Sequence, residues 1–198
     1  MNRVAIISNG PSAHLFDGAR REDFDAVIGV NWTVSRWLCD WWCFCDWPTF
    51  VDTQPMNRPR LFVSRFALEK LPLNAPEHAE RLKGYPQIVV HEEIALPPLL
   101  APPRSHGPGG PEDLPKWNAF SGCAALGLAW HLRAKRVTVF GADMRGEYDH
   151  ARRFGHSRTA ERWRHERRIW DGLVVAFQQQ AVRVERIVDH GPGPEGLS

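Results

Sequence analysis

RVTVFGADMRGEYDHARRFGHS, residues 136–157, begins with a short apolar run and ends in a polar loop. The β-branched and aromatic residues at 137–140 predict a buried strand, which Gly141, Ala142 and Asp143 bring to an end. The loop that follows carries the titratable side chains of Arg145, Glu147, Tyr148, Asp149, His150 and His156. Ligands of open α/β sheets bind beyond the carboxyl ends of the strands, so this loop is the first place to expect chemistry.

Five more apolar runs predict strands, at residues 3–8, 25–30, 41–46, 61–64 and 86–91, and a last strand is expected at 182–188. Between them, a short exposed helix is expected at 76–83 and a buried apolar helix at 121–133. A long amphipathic helix is expected at 158–179, with its core face on Ala160, Trp163, Trp170, Val174 and Phe177. This alternation predicts an α/β fold: one domain over residues 1–198, with a mostly parallel, Rossmann-like sheet flanked by helices.

Composition narrows the class of protein. The chain has 198 residues, of which 43% are hydrophobic and 24% charged, which fits one globular domain and excludes a disordered chain. A net charge of +2 indicates no obligate polyanionic partner. No apolar run approaches the ~18 residues of a membrane span, and the run at 4–7 is too short for a signal peptide. We therefore expect a cytoplasmic protein without a membrane span.

The four cysteines are Cys39, Cys43, Cys45 and Cys123. The first three are closely spaced but lack a second paired motif, so they are a weak signal for zinc. We expect buried free thiols and no metal site.

Polar residues follow the first two predicted strands. Residues 9–12, Asn-Gly-Pro-Ser, place a glycine where the backbone turns and a proline where a helix with free N–H groups can begin, an arrangement that attracts phosphate. Asn31 follows the second strand, and its amide suits a nucleobase edge. Ordinary turn residues are the alternative for both. Ser121 is expected to cap the apolar helix, whose start is a second candidate phosphate site.

Residues 94–117 contain seven prolines and three glycines, which predict a long loop. We interpret this segment as a lid that orders over bound ligand, with a disordered segment as the alternative.

Taken in this order, the motifs resemble those of the bacterial sialyltransferases of glycosyltransferase family 42 and related uncharacterised Rossmann-like proteins. The matching pieces cover most of the chain, and residues 58–117 match only loosely. They are Asn9-Gly10-Pro11-Ser12, Asn31, Ser121-Gly122, Gly141-Ala142-Asp143 and Gly155-His156-Ser157.

The resemblance implies a variant GT-A-like fold and a metal-independent, inverting transfer of sugar from a nucleotide-sugar donor, with no other cofactor. By this analogy, His156 is the general base, and Arg145 and Tyr148 assist departure of the nucleotide phosphate. Asn9 and Asn31 hold the nucleotide, and Ser121, Gly122 and Asp46 lie along the donor. The remaining donor-binding residues are Gly10, Pro11, Ser12 and Asp143.

Two positions depart from the family pattern. Ser8 stands where a glycine is usual, and Asn118 stands where the family has an arginine suited to a sugar carboxylate. A neutral donor sugar is therefore at least as well favoured as sialic acid.

Several alternatives stay open at this point. His156 can be a helix cap, with His150 as the base, and Asp143 can simply cap a loop or position Arg145. The acceptor is a glycan or small molecule, or else nucleic acid, if the arginines of residues 152–168 and exposed tryptophans bind phosphates and bases. A nucleotide-binding protein or phosphotransferase that shares the fold without glycosyl transfer is a further alternative. Homo-oligomerisation is also left open.

Overall fold

The computed structural model describes residues 1–96, 117, 120–144 and 160–188. These residues form one α/β unit around a single seven-stranded sheet. In chain order the strands are β1 (Arg3–Ile7), β2 (Ala26–Val30), β3 (Trp41–Phe44), β4 (Arg60–Val63), β5 (Ile88–Val90), β6 (Arg136–Phe140) and β7 (Arg183–Ile187). Every neighbouring pair is parallel, in the order β5-β4-β3-β2-β1-β6-β7. The Rossmann-like fold and all seven strands expected from the sequence are confirmed.

Five α-helices lie within the described residues: α1 (Trp47–Asp52), α2 (Arg65–Asn74), α3 (Pro76–Leu82), α4 (Ser121–His131) and α5 (Ala160–Gln179). The sequence analysis anticipated the last three and missed α1 and α2. Ser64, which was read as the end of a strand, is the N-cap of α2: its hydroxyl accepts the backbone N–H of Ala67 at 3.0 Å. Ser64 therefore follows the end of β4 and caps the start of α2.

The core has two layers, one on each face of the sheet. On one face, α4 and α5 pack through Cys123, Leu126, Trp170 and Phe177. The other face is covered by a 3₁₀ helix at Pro11–Gly18 and by helices α1 and α2. Trp42, Phe44 and Phe50 are among the buried residues of this layer. Successive residues of β1 alternate between these layers, yet all of Val4, Ala5, Ile6 and Ile7 are buried. This explains why the strand appears in the sequence as an unbroken apolar run.

The strand order reverses at β1. The chain runs from β1 out to β5 on one side, then returns to place β6 on the other side of β1. The chain therefore continues from β1 towards β2 and from β6 towards β7, on opposite sides of β1, and open α/β sheets generally hold their ligands at such a reversal.

Candidate nucleotide site

The turns that leave β1 and β6 are bonded to each other. Ser8 donates its backbone N–H to the Phe140 carbonyl at 2.7 Å, and Gly10 donates to the Gly141 carbonyl at 2.7 Å. The parallel pairing thus continues past the end of both strands. The space directly between these two turns is filled by the protein itself.

Ser12 and Asp143 complete this connection. The Asp143 Oδ2 accepts the Ser12 backbone N–H at 2.9 Å and the Ser12 hydroxyl at 2.8 Å, and both residues are buried. The Ser12 oxygen in turn accepts the Gly141 N–H at 3.1 Å. Of the two roles weighed for Asp143, the described contacts are those of a cap. Its carboxylate occupies the place at the start of the Pro11 helix where the sequence suggested a phosphate. Direct ligand contact by Ser12 or Asp143 stays a prediction.

The glycines in these turns are explained by this close packing. A Cβ on Gly10 would lie 2.4 Å from both the Asp143 Oδ2 and the Gly141 oxygen, and Gly141 itself has φ of +73°. Gly10 has an ordinary φ of −74°, so it is needed for room and not for an unusual turn. The sequence analysis attributed this glycine to a ligand, whereas the neighbouring turn already accounts for it.

Beside this closed turn, the carboxyl ends of β1, β2 and β3 present polar side chains that bond to nothing in the described part of the chain. These side chains belong to Asn9, Asn31 and Asp46. Asn9 and Asn31 follow the paired residues Ile7 and Gly29 by the same two positions, so they leave adjacent strands at the same level. Neighbouring strands are about 4.8 Å apart, which puts the two amides within reach of one small ligand.

Asn31 has a backbone reason for its identity as well. Its φ is +52°, a left-handed conformation that asparagine tolerates better than most residues. Its carbonyl accepts the indole N–H of Trp42 at 2.7 Å, which fixes the turn. The turn interpretation is supported by these contacts, and ligand contact by the Asn31 amide stays a prediction.

The start of α4 lies over the same edge. The N-cap is Phe120, without a side-chain cap, and Ser121 is the first residue of the helix. The expectation that Ser121 caps α4 is wrong, because its hydroxyl hydrogen-bonds the sulfur of Cys45 instead. The Ser121 carbonyl accepts the Cys43 thiol at 3.4 Å, so the helix start is tied to the end of β3.

Gly122 is the second residue of α4 and is buried. A Cβ placed on it would have the Ser8 Oγ and the Glu166 Oε1 as its nearest described neighbours, each at 3.8 Å, which is an ordinary contact distance. Packing among the described residues therefore does not require glycine here, in contrast to Gly10 and Gly141. The sequence analysis had not singled out Glu166, because it lies among arginines on a helix read as a solvated basic face.

Cys45 lies near three carboxylates at this edge. The pKa of Cys45 is raised to about 12, chiefly by burial; the Ser121 hydroxyl acts to lower it, and the carboxylates of Asp46, Glu92 and Glu166 act to raise it. Cys39, Cys43, Cys45 and Cys123 are all buried and free, as expected. Because burial also raises the pKa of Cys43 and Cys123, these thiols stay protonated and are poor nucleophiles.

His91 lies next to this group of thiols and is fully buried. Burial lowers its pKa to about 4, against smaller opposing effects of the Phe62 backbone and Glu92. Its ring packs on Phe62 with the centroids 4.3 Å apart, and its Nε2 lies 3.9 Å from the Cys43 sulfur. Within the described ranges, no group of three or more histidine, cysteine, aspartate or glutamate side chains is placed to hold a metal ion.

The chain has one Asp-x-Asp sequence, Asp23-Phe24-Asp25. It precedes β2, and Asp25 accepts the backbone N–H groups of Asn2 and Arg3 at 2.6 and 3.0 Å. These carboxylates belong to the opposite, amino edge of the sheet. They are not part of the candidate site.

The three residues predicted to carry the chemistry, Arg145, Tyr148 and His156, lie outside the described residues, as does His150. So does most of the 94–117 segment predicted to be a lid. Its described end, Trp117, packs against Gly127 of α4, where a Cβ would come within 2.3 Å of the indole ring. Roles in catalysis and lid closure therefore stay predictions.

Two arginines in the first turns of α5 contact the rest of the protein, whereas Arg164 and Arg168 are exposed. Arg167 donates to the Met144 carbonyl at 2.6 Å, and the Arg162 guanidinium lies 5.1 Å from the centre of the Phe120 ring, at the start of α4. None of the nine tryptophans is exposed, and Trp41, Trp42 and Trp170 are buried. The expectation of exposed tryptophans for base stacking is therefore wrong.

Comparison of the chain with known protein families, with curated proteins and with solved structures finds no match. No helix in the part of the chain that the structure describes has the length and hydrophobicity needed to cross a membrane.

Proposed function

We propose that this chain is a metal-independent, inverting glycosyltransferase that binds a nucleotide-sugar donor at the carboxyl edge of β1, β2 and β3. The observation that carries the proposal is a set of three polar side chains beside the start of α4, those of Asn9, Asn31 and Asp46, which bond to nothing in the described part of the chain. Amide groups can both donate to and accept from a base edge, which suits Asn9 and Asn31 to the nucleotide. The order of motifs that resembles the family 42 sialyltransferases supports glycosyl transfer.

In the proposed reaction, His156 takes the proton from the acceptor hydroxyl. The acceptor oxygen attacks the anomeric carbon from the side opposite the nucleotide, and the bond between that carbon and the phosphate oxygen breaks. Its electron pair passes to the phosphate, where Arg145 supplies positive charge and Tyr148 a hydrogen bond. A histidine with an ordinary pKa near 6.5 is largely neutral at pH 7 and able to act as this base.

The donor sugar is proposed to be neutral. Asn118 stands where an arginine would bind a sugar carboxylate. The acceptor is proposed to be a glycan or a small molecule. Nucleic acid is less favoured, because none of the tryptophans is exposed for stacking on bases.

A thermal-shift screen with nucleotides and nucleotide sugars tests the binding step. A ligand at a hundredfold excess over its Kd stabilises the native state by about 2.7 kcal/mol, which should raise the midpoint by roughly 5–10 °C in a domain of this size. Asn9→Ala and Asn31→Ala should each weaken that ligand by about 1–3 kcal/mol, whereas Asn74→Ala, on α2, should leave it unchanged.

Incubation of the stabilising nucleotide sugar with candidate acceptors, in EDTA, then tests the transfer. Activity that disappears in EDTA and returns with manganese or magnesium would show that the reaction needs a metal. Binding without transfer to any acceptor would favour the nucleotide-binding alternative.

A further inference from the structure

The two edge strands of the sheet differ in how they are protected. Among the described residues, no strand pairs with the outer side of β5 or of β7. β7 carries Arg183, Glu185 and Arg186, and charged side chains of this kind keep an edge from pairing with another chain. β5 (Ile88–Val90) has no charged residue, and its first side chain is 39% exposed. The β5 edge is therefore open to a further strand.

The open backbone groups of β5 follow from its pairing with β4. The Gln87 carbonyl accepts the Leu61 N–H at 2.8 Å, so this carbonyl points towards β4. Because backbone groups alternate in direction along a strand, the N–H and C=O groups of Ile88 and Val90 point away from β4. The 3₁₀ turn at His91–Glu93 ends this row of groups, so a further strand can pair only along the short strand itself.

An exposed apolar flank of α2 lies beside this edge. Phe66 is 52% and Leu73 is 74% exposed, and seven residues are nearly two helical turns, so both lie on one flank. The start of α2 is tied to the end of β5, because Arg65 donates its backbone N–H to the Glu92 Oε2 at 3.0 Å. Helix α1 follows β3 and packs on α2, and α3 is bonded to α1 through the Arg81 guanidinium. Both helices lie on the β3 side, so the flank of Phe66 and Leu73 faces the β5 edge.

The charges on this flank are complementary to a second copy of the same flank. Glu69 and Lys70 lie midway between Phe66 and Leu73, are exposed, and form no ion pair within the described residues. When two α2 helices pack antiparallel, Phe66 of one copy lies opposite Leu73 of the other, and Glu69 lies opposite Lys70. A two-fold axis makes each of these contacts twice. The partner that fits this surface is therefore the same chain.

We propose that two copies of this chain form a two-fold symmetric dimer, in which the β5 strands pair antiparallel and the α2 helices pack side by side. Ile88 of each copy exchanges N–H···O bonds with Val90 of the other, which joins the two sheets into one. A helix on the β4–β5 crossover lies about 5 Å from an axis between the paired strands. The two α2 helices are then about 10 Å apart, a usual distance for packed helices. The dimer does not depend on the proposed function, whose site lies at β1, β2 and β3.

Sedimentation velocity of the full chain tests the assembly. At about 10–100 µM protein, wild type should sediment as a dimer, because specific interfaces bind with micromolar or tighter Kd. Its mass should be about twice the 22.6 kDa of one chain. Ile88→Lys places a charge on the paired edge and should be monomeric, whereas Val175→Lys, at an exposed apolar position on α5, should stay dimeric. A monomeric wild type, or a dimer that Ile88→Lys leaves intact, overturns the proposal.

Charge reversal on α2 tests the antiparallel arrangement without any change to the strand. Glu69→Lys and Lys70→Glu each turn two ion pairs into two like-charge pairs, so each should raise the Kd of the dimer by about 5- to 100-fold. The double variant recreates the ion pairs and should return the Kd to near that of wild type. Both positions are exposed, so circular dichroism should show an unchanged fold. A double variant that dimerises no better than the single variants contradicts the arrangement.

An engineered disulfide tests the register of the two strands. In the proposed pairing, Val89 lies opposite itself across the axis as a non-hydrogen-bonded pair, with Cα atoms about 4.5 Å apart, which a disulfide can span. The native cysteines are buried and free, so they should not compete. On mild oxidation, Val89→Cys should give a covalent dimer on a non-reducing gel, whereas Val175→Cys should run as a single chain. A Val89→Cys protein that stays unlinked overturns the strand pairing.

Discussion

The Gly122→Ala variant tests whether position 122 is a glycine because a ligand needs the space or because the fold needs it. The added methyl group would meet the Ser8 Oγ and the Glu166 Oε1 at 3.8 Å, which is ordinary contact, so the empty protein should accept it. Alanine is favoured over glycine in a helix by about 0.5–1 kcal/mol. We therefore expect the free energy of unfolding to stay unchanged or to rise by up to that amount.

Ligand binding should respond in the opposite direction. If the donor lies against Gly122, the methyl group occupies its space, and overpacking of this kind costs about 1–3 kcal/mol. The nucleotide Kd should therefore rise ~5- to 150-fold. Urea denaturation followed by circular dichroism measures the first quantity, and calorimetric titration measures the second.

Gly127→Ala is the matched control on the same helix. Its Cβ would come within 2.3 Å of the Trp117 ring, so this variant should lose about 1–3 kcal/mol of stability. Nucleotide affinity should stay close to that of wild type. The reasoning is refuted if Gly122→Ala binds nucleotide as wild type does, or if it unfolds as readily as Gly127→Ala.

Three further predictions concern stability and catalysis. Asp143→Ala leaves the buried backbone N–H of Ser12 without its acceptor, whereas the Ser12 hydroxyl can still donate to the Ile187 carbonyl at 3.1 Å. Urea denaturation should therefore show a loss of about 1–3 kcal/mol, whereas the exposed Asp46→Ala should show none. An unchanged free energy of unfolding in Asp143→Ala contradicts the structural role of this pair. Burial lowers the pKa of His91 to about 4 from about 6.5, so the unfolded chain takes up a proton at a higher pH than the folded protein does. The free energy of unfolding should therefore fall by about 3 kcal/mol as pH falls from 6.5 towards 4. His91→Asn should make the free energy of unfolding less dependent on pH over this range, and an unchanged dependence counts against the buried, neutral ring. His156→Ala should keep the nucleotide affinity of wild type but transfer sugar about 10² to 10⁴ times more slowly. The transfer rate of wild type should increase with pH in a single step near pH ~6–7. If His156→Ala transfers sugar at the wild-type rate, His156 is only a cap and His150 becomes the candidate base.

Local patterns predicted most of the fold. Six of the seven strands are short apolar runs, and β7 alternates apolar and charged residues. Helix α4 is apolar throughout, and α5 has helical periodicity, with Trp170 and Phe177 buried as expected. The missed helices α1 and α2 are short, and α2 contains Pro72, which argues against a helix in sequence alone. Its start at Ser64 was the signal that could have found it.

The candidate site was less predictable because its residues meet only in three dimensions. Ser12 and Asp143 are 131 positions apart, and nothing local shows that their side chains bond to each other and leave Asn9 and Asn31 as the open groups. The position of Glu166 near Gly122 was not predictable either, because its neighbours in sequence are mostly arginines and the two residues meet only where α5 packs on α4. The strand ends alone indicated where the candidate site lies.

Nucleotide binding at the carboxyl edge of β1, β2 and β3 is the claim on which the rest depends. Calorimetric titration of wild type and Asn31→Ala with nucleotides and nucleotide sugars tests it most directly. The account predicts saturable, one-to-one binding by wild type with a Kd below about 1 mM for at least one of these ligands, weakened by about 1–3 kcal/mol in Asn31→Ala with the thermal midpoint retained. No binding by wild type at that concentration, or equal affinity in the two proteins, would contradict it.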